Sequence, residues 1–226
     1  MLKVRTIIEK YFYQIISIIL LLRISYVFFF ENRSGDYGFY ERIAKGIING
    51  CGYAIQNPDG SCIPIVGHYM PGFHYFMSVF YLFGSDAKLF LVFISILHFF
   101  AALFLFRVIN YYKKDSYFAK KVFLVITLSP LTLGFNRVLL MEPLLTSLSI
   151  VFLAFIIKIY FEGFKVFNYL ILLFFFILAI YTKPTAILFM IPFLILGLHK
   201  LGFKELMNKL LIGLTIIVIS ISPWGI

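Results

Sequence analysis

The sequence predicts an all-α, polytopic membrane protein with about seven transmembrane helices and interfacial helices in its first outer loop. Composition is the first ground. Of 226 residues, 62% are hydrophobic, 20% aromatic and 13% charged. A soluble domain of this size has too little interior to hide that apolar fraction, so the excess must face lipid. The second ground is a series of apolar runs at 11–30, 89–109, 118–135, 143–161, 166–182, 184–198 and 206–222. A helix needs roughly 20 residues to cross hydrocarbon, with about 17 to 25 tolerated. The sixth run is shorter, and the third reaches that length only if Lys120 and Lys121 snorkel.

The third ground is how charge sorts when seven crossings alternate the loops. One side takes Lys3, Arg5, Lys10, Arg107, Lys113, Lys114, Lys120, Lys121, Lys158, Lys165, Lys200, Lys204 and Lys209, with only Glu9, Asp115, Glu162 and Glu205 against them. The other side balances Arg33, Arg42, Lys45, Lys88, Arg137 and Lys183 against Glu31, Asp36, Glu41, Asp59, Asp86 and Glu142. Excess lysine and arginine marks the cytoplasm. The expected location is therefore the cytoplasmic (inner) membrane, multi-pass, with the N-terminus in the cytoplasm. The net charge of +10 then follows this sidedness, and nucleic acid is not an expected partner.

Residues 1–226 read as a single membrane domain: a first span at 11–30, an outer loop at 31–88 and the remaining spans at 89–226. The charged start and apolar run also fit a signal peptide, but no small-residue cleavage site follows, which favours an uncleaved first span. In the outer loop, residues 36–49 have helical spacing. Phe39, Tyr40, Ile43, Ala44 and Ile47 share one face, and Glu41, Arg42, Lys45 and Asn49 the other. Such a helix after a span is expected to lie flat on the bilayer. The piece CGYAIQNPDGSCIPIVGHYMPG is rich in turn residues and is expected to be irregular. Residues 73–83, too short to cross, read as a second interfacial helix. The third span is broken by Ser129-Pro130, tolerable where neighbours satisfy the freed carbonyl.

The candidates for chemistry have plain alternatives. Asp36 could be a helix N-cap or a carboxylate at the water–lipid boundary. Glu142, just before Pro143, could serve the helix dipole or face the same outer surface as a second carboxylate. Two such acids could divide base and orienting roles, or hold a divalent metal. Arg23, inside an apolar run, is either functional or snorkelling outward. Lys183, in YTKPT, marks a loop or grips a phosphate. His68 and His74 are six apart across a Pro-Gly turn, which is no zinc-ligand spacing; interfacial histidines are the simpler reading. Cys51 and Cys62 both fall in the outer loop and could form a disulfide or stay free thiols. No phosphate-cradling glycine motif, Ser-His-Asp pattern or haem motif is present.

An arginine in the first span is followed by GDYGFYERIAKGIINGCGY, then YMPGFHYFMSVFYLFGSDAKLF, LSPLTLGFNRVLLMEPLLTSLSI, AIYTKPTAILFMIPFLI and ISPWGI. In order and spacing this series resembles the type C membrane glycosyltransferases. The likeness is to the bacterial branch related to protein O-mannosyltransferases and lipid A aminoarabinose transferases. It implies transfer of a sugar, hexosyl or pentosyl, from a polyprenyl-phosphate sugar donor to a hydroxyl of a lipid or protein acceptor on the outer face. By position it implies Asp36 and Glu142 as catalytic acids and Arg23 and Lys183 as donor-phosphate holders. Tyr37, Tyr40, His68 and Tyr69 would line the acceptor or donor pocket. No cofactor is expected beyond the divalent metal that the two acids could hold. Relatives continue beyond Pro223-Trp224, so the chain is expected to be the N-terminal part of such an enzyme. Two other classes stay open: a transporter or flippase of lipid-linked cargo, and a non-catalytic membrane subunit. Intramembrane charge other than Arg23 would favour the first, and a partner completing the spans the second.

Overall fold

The computed structural model describes residues 2–31, 36–65, 70–84 and 86–222, with side chains from Arg5 onward. The chain runs α1 (Leu2–Phe29), α2 (Tyr37–Ile48), a hairpin of β1 (Ala54–Gln56) and β2 (Cys62–Pro64), then α3 (Gly72–Leu82). It continues with α4 (Ala87–Lys113), α5 (Ser116–Leu128), α6 (Pro130–Asn136), α7 (Glu142–Glu162) and α8 (Val166–Thr182). A 3-10 helix (Pro184–Phe189), α9 (Met190–Leu201) and α10 (Phe203–Ile221) complete it.

The long helices begin where the sequence supplies caps. Asp86 accepts from Leu89 N–H and Asp115 from Phe118 N–H, each at 2.9 Å, opening α4 and α5. Gly163 and Gly202, at φ 81° and 73°, end α7 and α9 in a conformation that favours glycine. Among the described residues, four stretches are long and apolar enough to cross a membrane: Arg5–Phe29, Ala87–Lys113, Glu142–Glu162 and Pro184–Leu201. A fifth is reached if α5 and α6, bent by 45°, form one broken span. The expected count of seven is not reached on these criteria. Helix α8 has 17 residues, and α10 carries Lys204, Glu205 and Lys209 in its first turns.

Helix α4 is the hub, packed against α1, α5 and α7. Its buried stripe (Phe90, Leu91, Ile94, Ala101, Ala102, Leu105) recurs at helical spacing. Phe12, Ile19, Phe99, Ala102 and Phe123 join α1, α4 and α5, and a larger cluster runs from α2 and α3 through α4 and α7 to α10.

The break at Pro130 explains Arg23. Proline removes a donor and pushes the preceding residue out of the helical region. Ser129 accordingly sits at φ −55°, ψ 124°, and carbonyls at the end of α5 lose their helical partners. Arg23, 1% exposed, donates from Nη1 to Thr127 O at 2.6 Å. Thr132 Oγ1 donates to Ile126 O at 3.1 Å and Ser129 O at 3.0 Å. The charge does not snorkel; it ties α1 to the broken helix.

The loop expected to be irregular holds the hairpin. Asn57-Pro58-Asp59-Gly60 supplies the turn, with Gly60 at φ 84° and Asp59 accepting from Ser61 N–H at 2.9 Å. The strands pair antiparallel, Ile55 opposite Ile63. Short strands with few side-chain alternations left no period to read in the sequence. The two helices of the loop fall within a residue of their expected ends.

Glycine sets two close approaches here. A Cβ on Gly46 of α2 would overlap Ala54 O of the hairpin. One on Gly72 of α3 would lie 2.8 Å from Tyr181 O, at the end of α8. Gly72→Ala is therefore expected to cost roughly 1–3 kcal/mol and lower the melting midpoint in detergent. Gly38→Ala, at a helical position with nothing within 4 Å, is expected to leave or raise it. Equal midpoints for the two variants would show that α3 does not press on α8.

Candidate functional site

The residues singled out by sequence divide among three places. Two of them, Glu142 and Lys183, meet. Glu142 opens α7, its helix start set by Pro143 in the first turn. Lys183 precedes Pro184, which forces it extended at φ −155°, ψ 128°. That extended residue separates α8 from the 3-10 helix and carries its ammonium to Glu142 Oε1 at 2.5 Å. The two side chains are 36% and 35% exposed, so water reaches the pair.

Asp36 stands at the N-cap position of α2, but its carboxylate does not cap the helix. It is exposed and accepts from Tyr40 Oη at 3.5 Å. Tyr40 is buried, with its ring edge-on to Phe73 and His74 of α3. Tyr37, also buried, donates to Glu31 Oε1 at 2.7 Å. Among the described residues no hydrogen bond joins Asp36 to Glu142. Arg23 lies apart, on the α5 break. His68 and Tyr69 fall outside the described residues.

What connects Asp36 with the ion pair is α3. Its Phe73 and His74 carry the Tyr40 ring, and its Gly72 presses on Tyr181, two residues before Lys183. Tyr37, Tyr40, Phe73, Leu139, Met141 and Leu144 belong to one buried cluster. Asp36 and Glu142 are thus borne by elements that share this cluster, with Glu142 at the end of the bundle formed by the start of α7 and the close of α8.

A cavity of about 300 Å³ lies among α8, the 3-10 helix, α9 and α10, reaching from Ile187 to Tyr169 and Met207 near the starts of α8 and α10. Phe176, Ile187, Met190, Phe193, Leu210 and Leu214 are among its walls, which are wholly apolar. Among the described residues no group of three His, Cys, Asp or Glu side chains is placed to hold a metal ion.

Sequence reasoning missed His74. Expected at the interface, it is fully buried, its Nδ1 3.1 Å from Tyr53 Oη. Burial pushes its pKa down to about 4. Tyr81 was also missed: it donates to Glu41 Oε1 at 3.3 Å, and burial, with the Glu41 charge beside it, raises its pKa. The signal for both was present, since Phe73, His74, Met77 and Tyr81 recur at spacings of three and four along α3.

Cys51 and Cys62 are bonded as a disulfide, Cα atoms 5.6 Å apart. With the Asn49 Nδ2 to Gln56 Oε1 bond at 2.5 Å, the bridge fastens the hairpin to the end of α2. Compared with known proteins, the chain matches no family model, no curated protein and no solved structure, and the site is read from its own geometry.

His74 makes stability pH-dependent. The unfolded imidazole binds a proton near pH 6.5, the folded one only near 4. Between those values the unfolded state holds more protons, so stability falls as pH drops from about 6.5 to about 4, by roughly 3 kcal/mol. Melting midpoints across that range should decline in the wild type and decline less steeply in His74→Gln. An unchanged slope in the variant would mean another group carries the acid limb.

Proposed function

We propose that the chain is a membrane glycosyltransferase, or the N-terminal portion of one. It would move a sugar from a polyprenyl-phosphate-linked donor to an acceptor hydroxyl on the outer face of the cytoplasmic membrane. The observation that carries the reading is a water-accessible Glu142–Lys183 pair linked through α3 to an exposed Asp36, in a bundle that also holds an apolar cavity among α8, α9 and α10. This is the arrangement that a substrate with a charged head and a hydrocarbon tail requires.

The orientation rests on two independent supports. Lysine and arginine concentrate at the opposite end, where Lys113, Lys114, Lys120, Lys121, Lys165 and Lys209 lie. The disulfide supports an outward, oxidising side for the α2–hairpin loop. Seven crossings are part of the same reading: α8 and α10 supply the two beyond the bent span, with Lys204, Glu205 and Lys209 at the inner headgroups.

In the proposed reaction the acceptor oxygen attacks the sugar C1, and its proton passes to the Asp36 carboxylate. The C1–O bond to phosphate breaks, and its electron pair leaves on the phosphate oxygen, which the Lys183 ammonium stabilises. Glu142 holds Lys183 in place before the donor arrives. Released from Lys183, it can accept a hydrogen bond from a sugar or acceptor hydroxyl.

A transport reading has one observation in its favour. A buried arginine sits on a broken helix, a combination that ion- and substrate-moving proteins use. Lipid flipping by vesicles containing the purified protein, with no glycosylated product, would favour it.

Asp36→Asn should lower sugar transfer by about 10²–10⁴-fold with normal insertion. Lys183→Met should reduce it further in proportion to the lost phosphate contact. Mass spectrometry of envelope glycolipids and glycoproteins reads the product as a hexose, pentose or aminosugar increment. Wild-type product levels with Asp36→Asn would remove the catalytic assignment.

A further inference from the structure

The exposed face of α2 and the tip of the hairpin border an open cleft of about 340 Å³, lined by Arg42, Lys45, Gln56, Asn57, Pro58 and Gly60. Its walls are built, not incidental. Gly46 lets the hairpin lie directly on α2. The Cys51–Cys62 bridge and the Asn49–Gln56 bond hold it there, and Asn57 Nδ2 donates to Ser61 Oγ at 3.0 Å to fix the tip.

Both cations stand on one face of α2, three residues apart, so both reach the cleft. Arg42 Nε donates to Gly38 O at 3.3 Å, which orients the guanidinium. Among the described residues no carboxylate pairs with Arg42. Lys45 is shared with Glu41 at 2.9 Å. The nearby Asp59 carboxylate is occupied by Ser61 N–H and Oγ, at 2.9 and 2.6 Å. The cleft therefore offers a forked cation, a second ammonium and the side-chain amides of Gln56 and Asn57. That set matches a compact oxyanion with several acceptor oxygens.

We propose that this cleft recognises an anionic group, phosphate or carboxylate, on the acceptor of the transferred sugar. The proposal rests on the transferase reading, because Asp36 begins the same helix. At 1.5 Å per residue, Arg42 and Lys45 lie roughly 9 and 14 Å along α2 from Asp36. The cleft thereby selects acceptors whose negative charge sits at about that distance from the hydroxyl to be glycosylated. It also accounts for the hairpin: without it the cations of α2 would face open water and bind nothing in preference.

The test separates binding from transfer. The full-length protein in neutral detergent, at about 0.15 M salt, is titrated with glucose 1-phosphate, glucuronate and methyl glucoside, and binding is followed by ligand-observed NMR. The wild type should bind one or both anionic sugars and not the neutral one; which of the two binds identifies phosphate or carboxylate. Arg42→Gln should weaken binding about tenfold or more, as expected for loss of a charge-assisted pair. Lys45→Gln should weaken it less, because Lys45 already has Glu41. Cys51→Ser with Cys62→Ser should also weaken binding by freeing the hairpin, and Lys113→Gln at the far end should not. Equal affinity for methyl glucoside, or unchanged affinity in Arg42→Gln, would overturn the inference. Specific anion binding in a protein that never transfers sugar would instead sink the transferase reading and leave the cleft standing. Transfer that proceeds equally to neutral and anionic acceptors would do the reverse.

Discussion

An apolar slab supplies no hydrogen-bond partners, so wherever a helix breaks inside one, the protein itself must answer the freed groups. Two proline breaks organise the described chain, the first within an apolar stretch and the second where water reaches the end of the bundle. At Pro130 the freed carbonyls are answered by Arg23 and Thr132. At Pro184 the interruption leaves Lys183 extended between two helical segments, and Glu142 from α7 answers its charge. Each break is held by a side chain from another helix, so each joins helices distant in sequence. The first ties α1 to α5, and the second ties α7 to the junction of α8 and α9.

The segment between α1 and α4 is positioned by contact with those joined helices. Helix α3 is too short to cross hydrocarbon, yet Phe73, His74 and Met77 are fully buried. One end of α3 reaches Tyr181 by means of Gly72, and the same stretch supports Tyr40 beside Asp36. Asp36 and the Glu142–Lys183 pair are thus set in relation by packing through α3, and among the described residues no hydrogen bond joins them. Such packing is dense and tolerates little displacement, which suits a site whose parts come from separate elements.

Much of this was legible in the sequence, for reasons tied to length and period. The helix over 36–49 declared itself by its two faces, and the long spans by runs that no soluble domain could bury. The break at Ser129-Pro130 was readable because proline has one meaning in a helix. The role of Arg23 was not: an arginine in an apolar run signals expense, but only the fold shows that its Nη1 reaches a carbonyl more than a hundred residues away, Thr127 O. The Glu142–Lys183 contact was hidden for the same reason, since the two residues were assigned separate roles and nothing in local spacing brings them together. The hairpin escaped because its strands are three residues each, too short to show alternation. Among the described residues the count of crossings stays at four or five by length and composition, because α8 has 17 residues and the first turns of α10 carry Lys204, Glu205 and Lys209.

The two arginine and lysine candidates for a phosphate are distinguished by how readily each could change partner. Arg23 is 1% exposed and already bonded to a backbone carbonyl. Drawing it toward a ligand would uncap the α5 break in surroundings where an unpaired carbonyl costs about 1–3 kcal/mol. Lys183 is 35% exposed and bound to a Glu142 of similar exposure. A pair that water reaches is worth only about 0–1 kcal/mol, and a phosphate offering more oxygens can displace the carboxylate at little cost. On the proposed reading, the same exchange would free Glu142 at the moment the donor is seated. The weakness of that ion pair is what would let donor binding and the exposure of a second carboxylate occur as one step, and it assigns Lys183, not Arg23, to the phosphate.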